Sequence, residues 1–190
     1  NGDLYFGYVK RTTTKSALSV HNPGTKKTTP LFEFDIPQLD DHNNPALVVL
    51  PDGRLLAMAT FHSTAQAFFH RTSLNATPNL STDWDSEKKQ SGLPGKTTYM
   101  NPMHLSAEGP QLYSFARSIN LIPSLCTSDS LGDTWAAPRQ FIASGTGKTR
   151  PYAKYVCNRT DRIDVLYTDG HPRDTNNSIY HLFYRSHSSG

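Results

Sequence analysis

An X-Pro step that recurs ahead of a strand, a turn and a second strand constrains this chain more than any other feature. Asn44-Pro45 leads into residues 46–50, the pair Asp52-Gly53 and residues 54–61, then Phe68-Phe69-His70-Arg71-Thr72-Ser73. Asn101-Pro102 leads into Met103-His104-Leu105, Glu108-Gly109 and residues 111–117, then Ser124-Leu125-Cys126-Thr127-Ser128. Arg150-Pro151 leads into residues 152–156, a turn over 158–161, residues 162–168, then residues 179–186. The prolines stand 57 and 49 residues apart. A period of about 50 residues holding three or four strands is what one blade of a β-propeller needs.

Helical periodicity is almost absent, and short β-rich runs bounded by turn residues point to an all-β chain covering three to four blades. Residues 4–10 add a further run ahead of the first repeat. The Pro51-Asp52-Gly53 turn folds residues 45–50 back on residues 54–61, so His42 and His62, outside the two strands, finish at one end. Asp40 and Asp41 lie beside them. Equivalent positions of successive blades face the same rim. Tyr99 stands three residues before Pro102 as His42 does before Pro45, with Lys148 in the third copy and Tyr152 just after Pro151. At the far end of the second strand come His62, Arg117 and Asp169-Gly170-His171. The repeat therefore gathers His42, His62, Tyr99, Arg117, Tyr152 and His171 at one mouth, an acid/base set with a fixed cation.

Composition narrows the partners. Of 190 residues, 18% are charged, with a formal net charge of +3; this suits a polyanionic carbohydrate slightly better than a neutral one. The basic residues form no stripe or arm, which argues against nucleic acid. No apolar run approaches the roughly 20 residues that span a bilayer. The opening Asn1-Gly2-Asp3-Leu4-Tyr5-Phe6 reads like the interior of a strand, so residues 1–190 are expected to be part of one propeller domain within a longer chain, with the remaining blades supplied by the rest of that chain or by another copy. Cys126 and Cys157 are the two cysteines; pairing and burial as free thiols are both compatible with the sequence.

Two further patterns bear on structure. Ser128-Asp129-Ser130-Leu131-Gly132-Asp133-Thr134-Trp135 resembles the Asp-box turn of neuraminidase-type repeats, with Ser130 where the carboxylate belongs and the acid moved to Asp129. Ser81-Thr82-Asp83-Trp84 reads as a worn copy. His171, His181, Asp169 and Cys157 supply N, O and S donors near one strand pair, the kind of set zinc accepts. Such an ion would be structural, holding the 169–173 loop, and no cofactor is expected to take part in catalysis.

Asp41-His42-Asn43-Asn44-Pro45-Ala46, Leu50-Pro51-Asp52-Gly53, Phe61-His62, Arg150-Pro151-Tyr152, Thr168-Asp169-Gly170-His171-Pro172-Arg173 and Asn177-Ser178-Ile179-Tyr180 together resemble the BNR-repeat propellers that include ulvan lyases of polysaccharide lyase families twenty-four and twenty-five. The likeness runs over residues 40–185. It implies a seven-bladed propeller secreted by bacteria, acting on an acidic sulfated polysaccharide by β-elimination next to a uronate. It further implies that His42 and Tyr99 are the base and acid, in an order the sequence leaves open. By the same likeness Arg117 neutralises the uronate carboxylate, and His62, Tyr152 and His171 line the substrate groove. A non-catalytic carbohydrate-binding propeller and a glycoside hydrolase are the alternatives. A hydrolase needs two carboxylates flanking the bond, and no convincing pair stands on this rim.

Overall fold

In the computed structural model, which describes residues 2–142, 150–174 and 176–186, the chain is all-β and forms four antiparallel sheets in chain order. The first holds β1 (Leu4–Lys10), β2 (Lys15–Asn22) and β3 (Lys27–Pro37). The second holds β4 (Ala46–Val49), β5 (Leu55–Thr60), β6 (Ala67–Thr72) and β7 (Lys88–Ser91). The third holds β8 (Asn101–His104), β9 (Leu112–Ile119), β10 (Ile122–Ser128) and β11 (Arg139–Gln140), and the fourth β12 (Ala153–Cys157), β13 (Arg162–Thr168) and β14 (Ile179–Arg185). Each sheet is a meander, and the first strands β1, β4, β8 and β12 are successive neighbours. Gly7 on β1 permits this approach: a Cβ there would stand 2.4 Å from the Pro45 carbonyl oxygen.

Strand alternation stacks the sheets. On β5, Leu55, Ala57 and Ala59 pack toward the first sheet with Leu18, Phe34, Ile36 and Trp84, while Leu56 and Met58 pack toward the third with Leu112, Ala116 and Trp135. All six residues of β5 are buried, as expected of a strand covered on both faces. A third core joins Met103, Leu105 and Phe115 to Ile163 and Val165 of the fourth sheet. The outermost faces are different. Leu4 and Phe6 on the first sheet, and Val156, Leu166, Ile179 and Phe183 on the fourth, are exposed.

Both tryptophan turns plug these interfaces. Trp135 meets Phe68 edge-on at 5.9 Å and Trp84 meets Phe32 at 5.0 Å. The expected Asp129 carboxylate takes no part in its turn. Ser128 Oγ accepts from the amides of Ser130 and Gly132, Ser130 Oγ accepts from the Thr134 amide, and Trp135 Nε1 donates to the Gly132 carbonyl. Two hydroxyls thus do what one carboxylate would. In the worn copy Asp83 keeps that role, accepting from the amides of Asn79 and Leu80.

The strands of the first sheet other than β1 escape a sequence reading for physical reasons. Two serines, Ser16 and Ser19, are buried in β2 and break its apolar pattern, and Pro30 interrupts β3. That proline pairs with Ser19 where the register slips, on an edge strand, which is where a sheet tolerates it.

Candidate functional site

The β4–β5 hairpin places His42 and His62 in contact, with ring centroids 3.9 Å apart and planes 15° from parallel. Asp40 caps the short 3-10 turn Asp41–Asn43 by accepting from the His42 amide at 2.9 Å. The same carboxylate reaches both imidazoles, Oδ1 lying 2.5 Å from His42 Nδ1 and Oδ2 2.8 Å from His62 Nδ1. The exposed Asp41 brings a second oxygen to 2.8 Å from His42 Nδ1. Burial pushes the Asp40 carboxyl up, but hydrogen bonds from the His62 ring and the His42 amide and ring outweigh it and hold the group down at about 2. A scaffold locks this pair in place. Asn43, 1% exposed, donates to Gln38, whose Oε1 accepts from the His62 amide, and Ser16 Oγ donates to the Asn43 carbonyl.

Tyr99 reaches this pair from the next sheet, its ring 5.2 Å from that of His42. Its backbone is left-handed, φ +60°, an unfavourable setting for a bulky residue that persists only where neighbours enforce it. They do. Thr98 exchanges both backbone hydrogen bonds with Arg117, Ser63 Oγ meets Thr98 Oγ1 at 2.8 Å, and Ser63 N donates to the Thr97 carbonyl. Gly95 lets the approaching loop lie against the third sheet, since a Cβ there would stand 2.3 Å from the Ser118 carbonyl oxygen. Burial, assisted by Tyr152, Asp41 and Asp40 against the pull of Arg117, raises the Tyr99 phenol above its ordinary value. It is a proton donor at neutral pH.

Arg117, 6% exposed, is aimed by its own hairpin. Nε donates to the Leu121 carbonyl at 2.8 Å, and Asn120 and Leu121 both hold positive φ in the turn between β9 and β10, the geometry of a type I′ connection. The guanidinium carbon lies 4.4 Å from the centre of the Tyr152 ring. One Nη is buried without a hydrogen-bond partner among the described residues, and no carboxylate among them pairs with the group. Tyr99, Asn101, Arg117, Tyr152 and Lys154 line a common cleft. Tyr152 in turn meets His171 edge-on at 4.6 Å.

His62, His42, Tyr99, Arg117, Tyr152 and His171 therefore form one arc over the second, third and fourth sheets. Lys148 lies outside the described residues. The four donors expected to hold zinc do not converge. Cys157 pairs with Ile163 beside one turn of the fourth sheet, while Asp169 and His171 follow Thr168 at the opposite end of β13, roughly 20 Å away at the rise of a seven-residue strand. His181 binds Asp164, and Asp169 accepts from Ser178 N and Tyr180 OH. The cysteines are both free, Cys126 in the core between the second and third sheets and Cys157 against that between the third and fourth. Among the described residues only Asp40, His42 and His62 bring three donor atoms within 4.8 Å of one another. Their N···O separations are those of hydrogen bonds, shorter than the about 3.3 Å between neighbouring ligands of a tetrahedral zinc ion, so this set does not fit a metal as it stands.

The residues that reasoning from sequence passed over are those that hold the others: Gln38, Asn43, Ser63 and Thr98. Asp40, which the sequence did set beside the histidines, is of the residue type that caps such a turn.

Over residues 3–190 the chain matches the BNR repeat-containing family. It belongs to that family. No curated protein matches it. Among solved structures the BNR-repeat chain superposes on a PL25 ulvan lyase with TM-score 0.63 at 18% identity, covering 88% of this chain and 43% of that one. The same lyase family bound to -[GlcA(1-4)Rha3S]- gives TM-score 0.63 at 17% identity, with the same coverage. A protein of unknown function from Dyadobacter fermentans gives TM-score 0.62 at 15% identity, covering 98% of this chain and 51% of that one. The shared feature is the fold, that of part of a β-propeller, and the chain spans about half the length of these neighbours or less. No helix among the described residues is long and apolar enough to cross a membrane.

Proposed function

We propose that this BNR-repeat protein is a secreted polysaccharide lyase acting on a uronate-containing, sulfated polysaccharide of the ulvan type. The observation that carries the reading is a buried guanidinium with an unpartnered Nη, in the cleft that Tyr99 also lines. Tyr99 is a phenol kept protonated, and beside it stands a histidine pair anchored on an ionised carboxylate. A buried, unsatisfied guanidinium calls for an anionic partner, and a uronate carboxylate matches its fork. The PL25 structure with a bound glucuronate–sulfated rhamnose unit is in keeping with this substrate class.

In the proposed reaction Arg117 pairs with the carboxylate and stabilises the negative charge that develops on it. His42 Nε2 takes the C5 proton, the C4–O4 bond breaks as the C4=C5 bond forms, and Tyr99 gives its proton to the departing O4. Base and acid are assigned this way round because a phenol raised above its ordinary value donates better than it accepts. His62, Tyr152 and His171 extend the groove. The sole carboxylate within reach of the histidines that is not exposed, Asp40, is committed to both rings, which leaves no flanking pair for hydrolysis. The exposed apolar faces of the first and fourth sheets support a further part of this proposal, that additional blades complete the propeller.

Incubation with ulvan and measurement of the ultraviolet absorbance of the unsaturated uronate product tests the reading. A lyase raises it. Binding without any absorbance rise means a carbohydrate-binding propeller, and saturated fragments mean a hydrolase; either overturns the proposal.

A further inference from the structure

We infer that Asp40 is a positioning residue that sets the tautomer of His42 and His62 together, presenting both Nε2 atoms as bare acceptors on the side away from the carboxylate. The inference deepens the lyase reading and takes its catalytic meaning from it.

The geometry decides the tautomer. An ionised carboxylate only accepts hydrogen bonds, and each oxygen of Asp40 lies against a different Nδ1, at 2.5 Å and 2.8 Å. Both Nδ1 atoms must therefore carry hydrogen. In a neutral imidazole this leaves Nε2 with its lone pair. The rings are stacked within 15° of parallel and both turn Nδ1 to one carboxylate, so each Nε2, across the ring from Nδ1, points away from it. Among the described residues neither has a hydrogen-bond partner. Both rings are held by the Asp40 carboxylate, and Gln38 Oε1 ties the His62 amide to the Asn43 side chain, next to His42.

The arrangement has a second consequence. When His42 takes a proton, Asp40 is the counter-charge already in contact. The other titratable groups facing the pair are Asp41, at the His42 Nδ1, and Tyr99, at the ring; Arg117 and Tyr152 stand beyond Tyr99.

The test uses the full chain and two readouts. Nitrogen-15 spectra of the histidine side chains, recorded without substrate above the titration range, are expected to show hydrogen on Nδ1 and a bare Nε2 for both His42 and His62. Asp40→Asn, which keeps the shape of the side chain but offers one acceptor, is expected to move at least one ring to the Nε2–H tautomer. With substrate, the same variant is expected to lose roughly 10²- to 10⁴-fold in kcat, with KM little changed. Hydrogen on Nε2 of either ring in the unmodified protein overturns the inference, as does an Asn variant that keeps both tautomers and kcat. The first measurement needs no variant, so a misfolded Asp40→Asn leaves the question answerable. It also needs no substrate. Wild-type protein with the expected tautomers but no eliminated product overturns the lyase reading and upholds the role of Asp40.

Discussion

The two ends of the arc from His62 to His171 are built differently. At the His42–His62 end every anchor is backed by a buried one: Asn43 and Thr98 are 1% and 0% exposed, and the sheet beneath is covered on both faces. At the His171 end the supports are exposed. Arg173 pairs with Asp174, Asp169 binds Ser178 and Tyr180, and the outer face of the sheet is open. Exposed polar supports open at little cost, whereas groups that are buried and paired hold their geometry. Proton transfer needs that precision, and gripping one more sugar does not. Under the proposed lyase reading the chemistry therefore belongs to the rigid end and the grip to the open one.

The largest effects should break this contrast at its rigid end. His42→Ala is expected to lower kcat by about a thousandfold, the usual contribution of a positioned base, with binding of ulvan retained. Arg117→Lys should be nearly as damaging, because an ammonium cannot both reach the Leu121 carbonyl and present a fork to a carboxylate. Single-turnover absorbance with parallel binding measurements separates turnover from affinity. A His171→Ala loss equal to that of His42→Ala would erase the contrast.

Packing comes next. Gly95→Ala should cost about 1–3 kcal/mol in denaturant unfolding, since the added Cβ meets backbone at 2.3 Å, and kcat should fall with it as Tyr99 is displaced. The same order of loss is expected for Leu166→Asp on the open face if a further blade covers Leu166 in the complete protein; a change under about 0.5 kcal/mol would mean that this face meets solvent.

Acid sharpens the comparison. Asp40 has its folded pKa depressed to about 2, so its stabilisation is present above the unfolded value near 4 and is lost as pH falls toward 2. His70, 3% exposed with burial pressing its pKa down to about 4, is neutral in the folded state. Stability therefore falls as pH drops from about 6.5 toward 4, where the unfolded chain takes up the proton first. At 1.36 kcal/mol per pKa unit these shifts correspond to about 2 kcal/mol for Asp40 and about 3 kcal/mol for His70. The stability–pH curve of His70→Gln should be flatter between pH 6.5 and 4, and that of Asp40→Asn flatter below 4.

What could be read in the sequence follows the same division. Hairpin topology brings the outer ends of two strands together whatever lies between them, so His42 and His62 could be paired from the Asp52-Gly53 turn alone. The X-Pro repeat then carried Tyr99, Arg117, Tyr152 and His171 to the same rim. The zinc reading failed because sequence proximity of His171, His181, Asp169 and Cys157 does not reveal that a strand separates the two turns. The left-handed backbone of Tyr99 and the clamp of Gln38 on His62 were hidden too, since both arise only when loops from different sheets meet. Pro30 and the serines of β2 concealed most of a sheet by looking unlike strand.

The smallest effect tests the open end. His171 touches the arc through an edge-on contact with Tyr152, and its Nδ1 accepts from the Arg173 amide at 3.1 Å, so in the proposed groove the remaining ring nitrogen is the one left for substrate. Removing the ring forfeits about one hydrogen bond, on the order of 0.5–1.5 kcal/mol. His171→Ala should accordingly raise KM roughly 2- to 10-fold and leave kcat unchanged, the pattern of an interaction made equally in ground and transition states. A fall in kcat with KM constant would instead place His171 among the groups that act on the breaking bond, and the division of labour between the two ends would have to be redrawn.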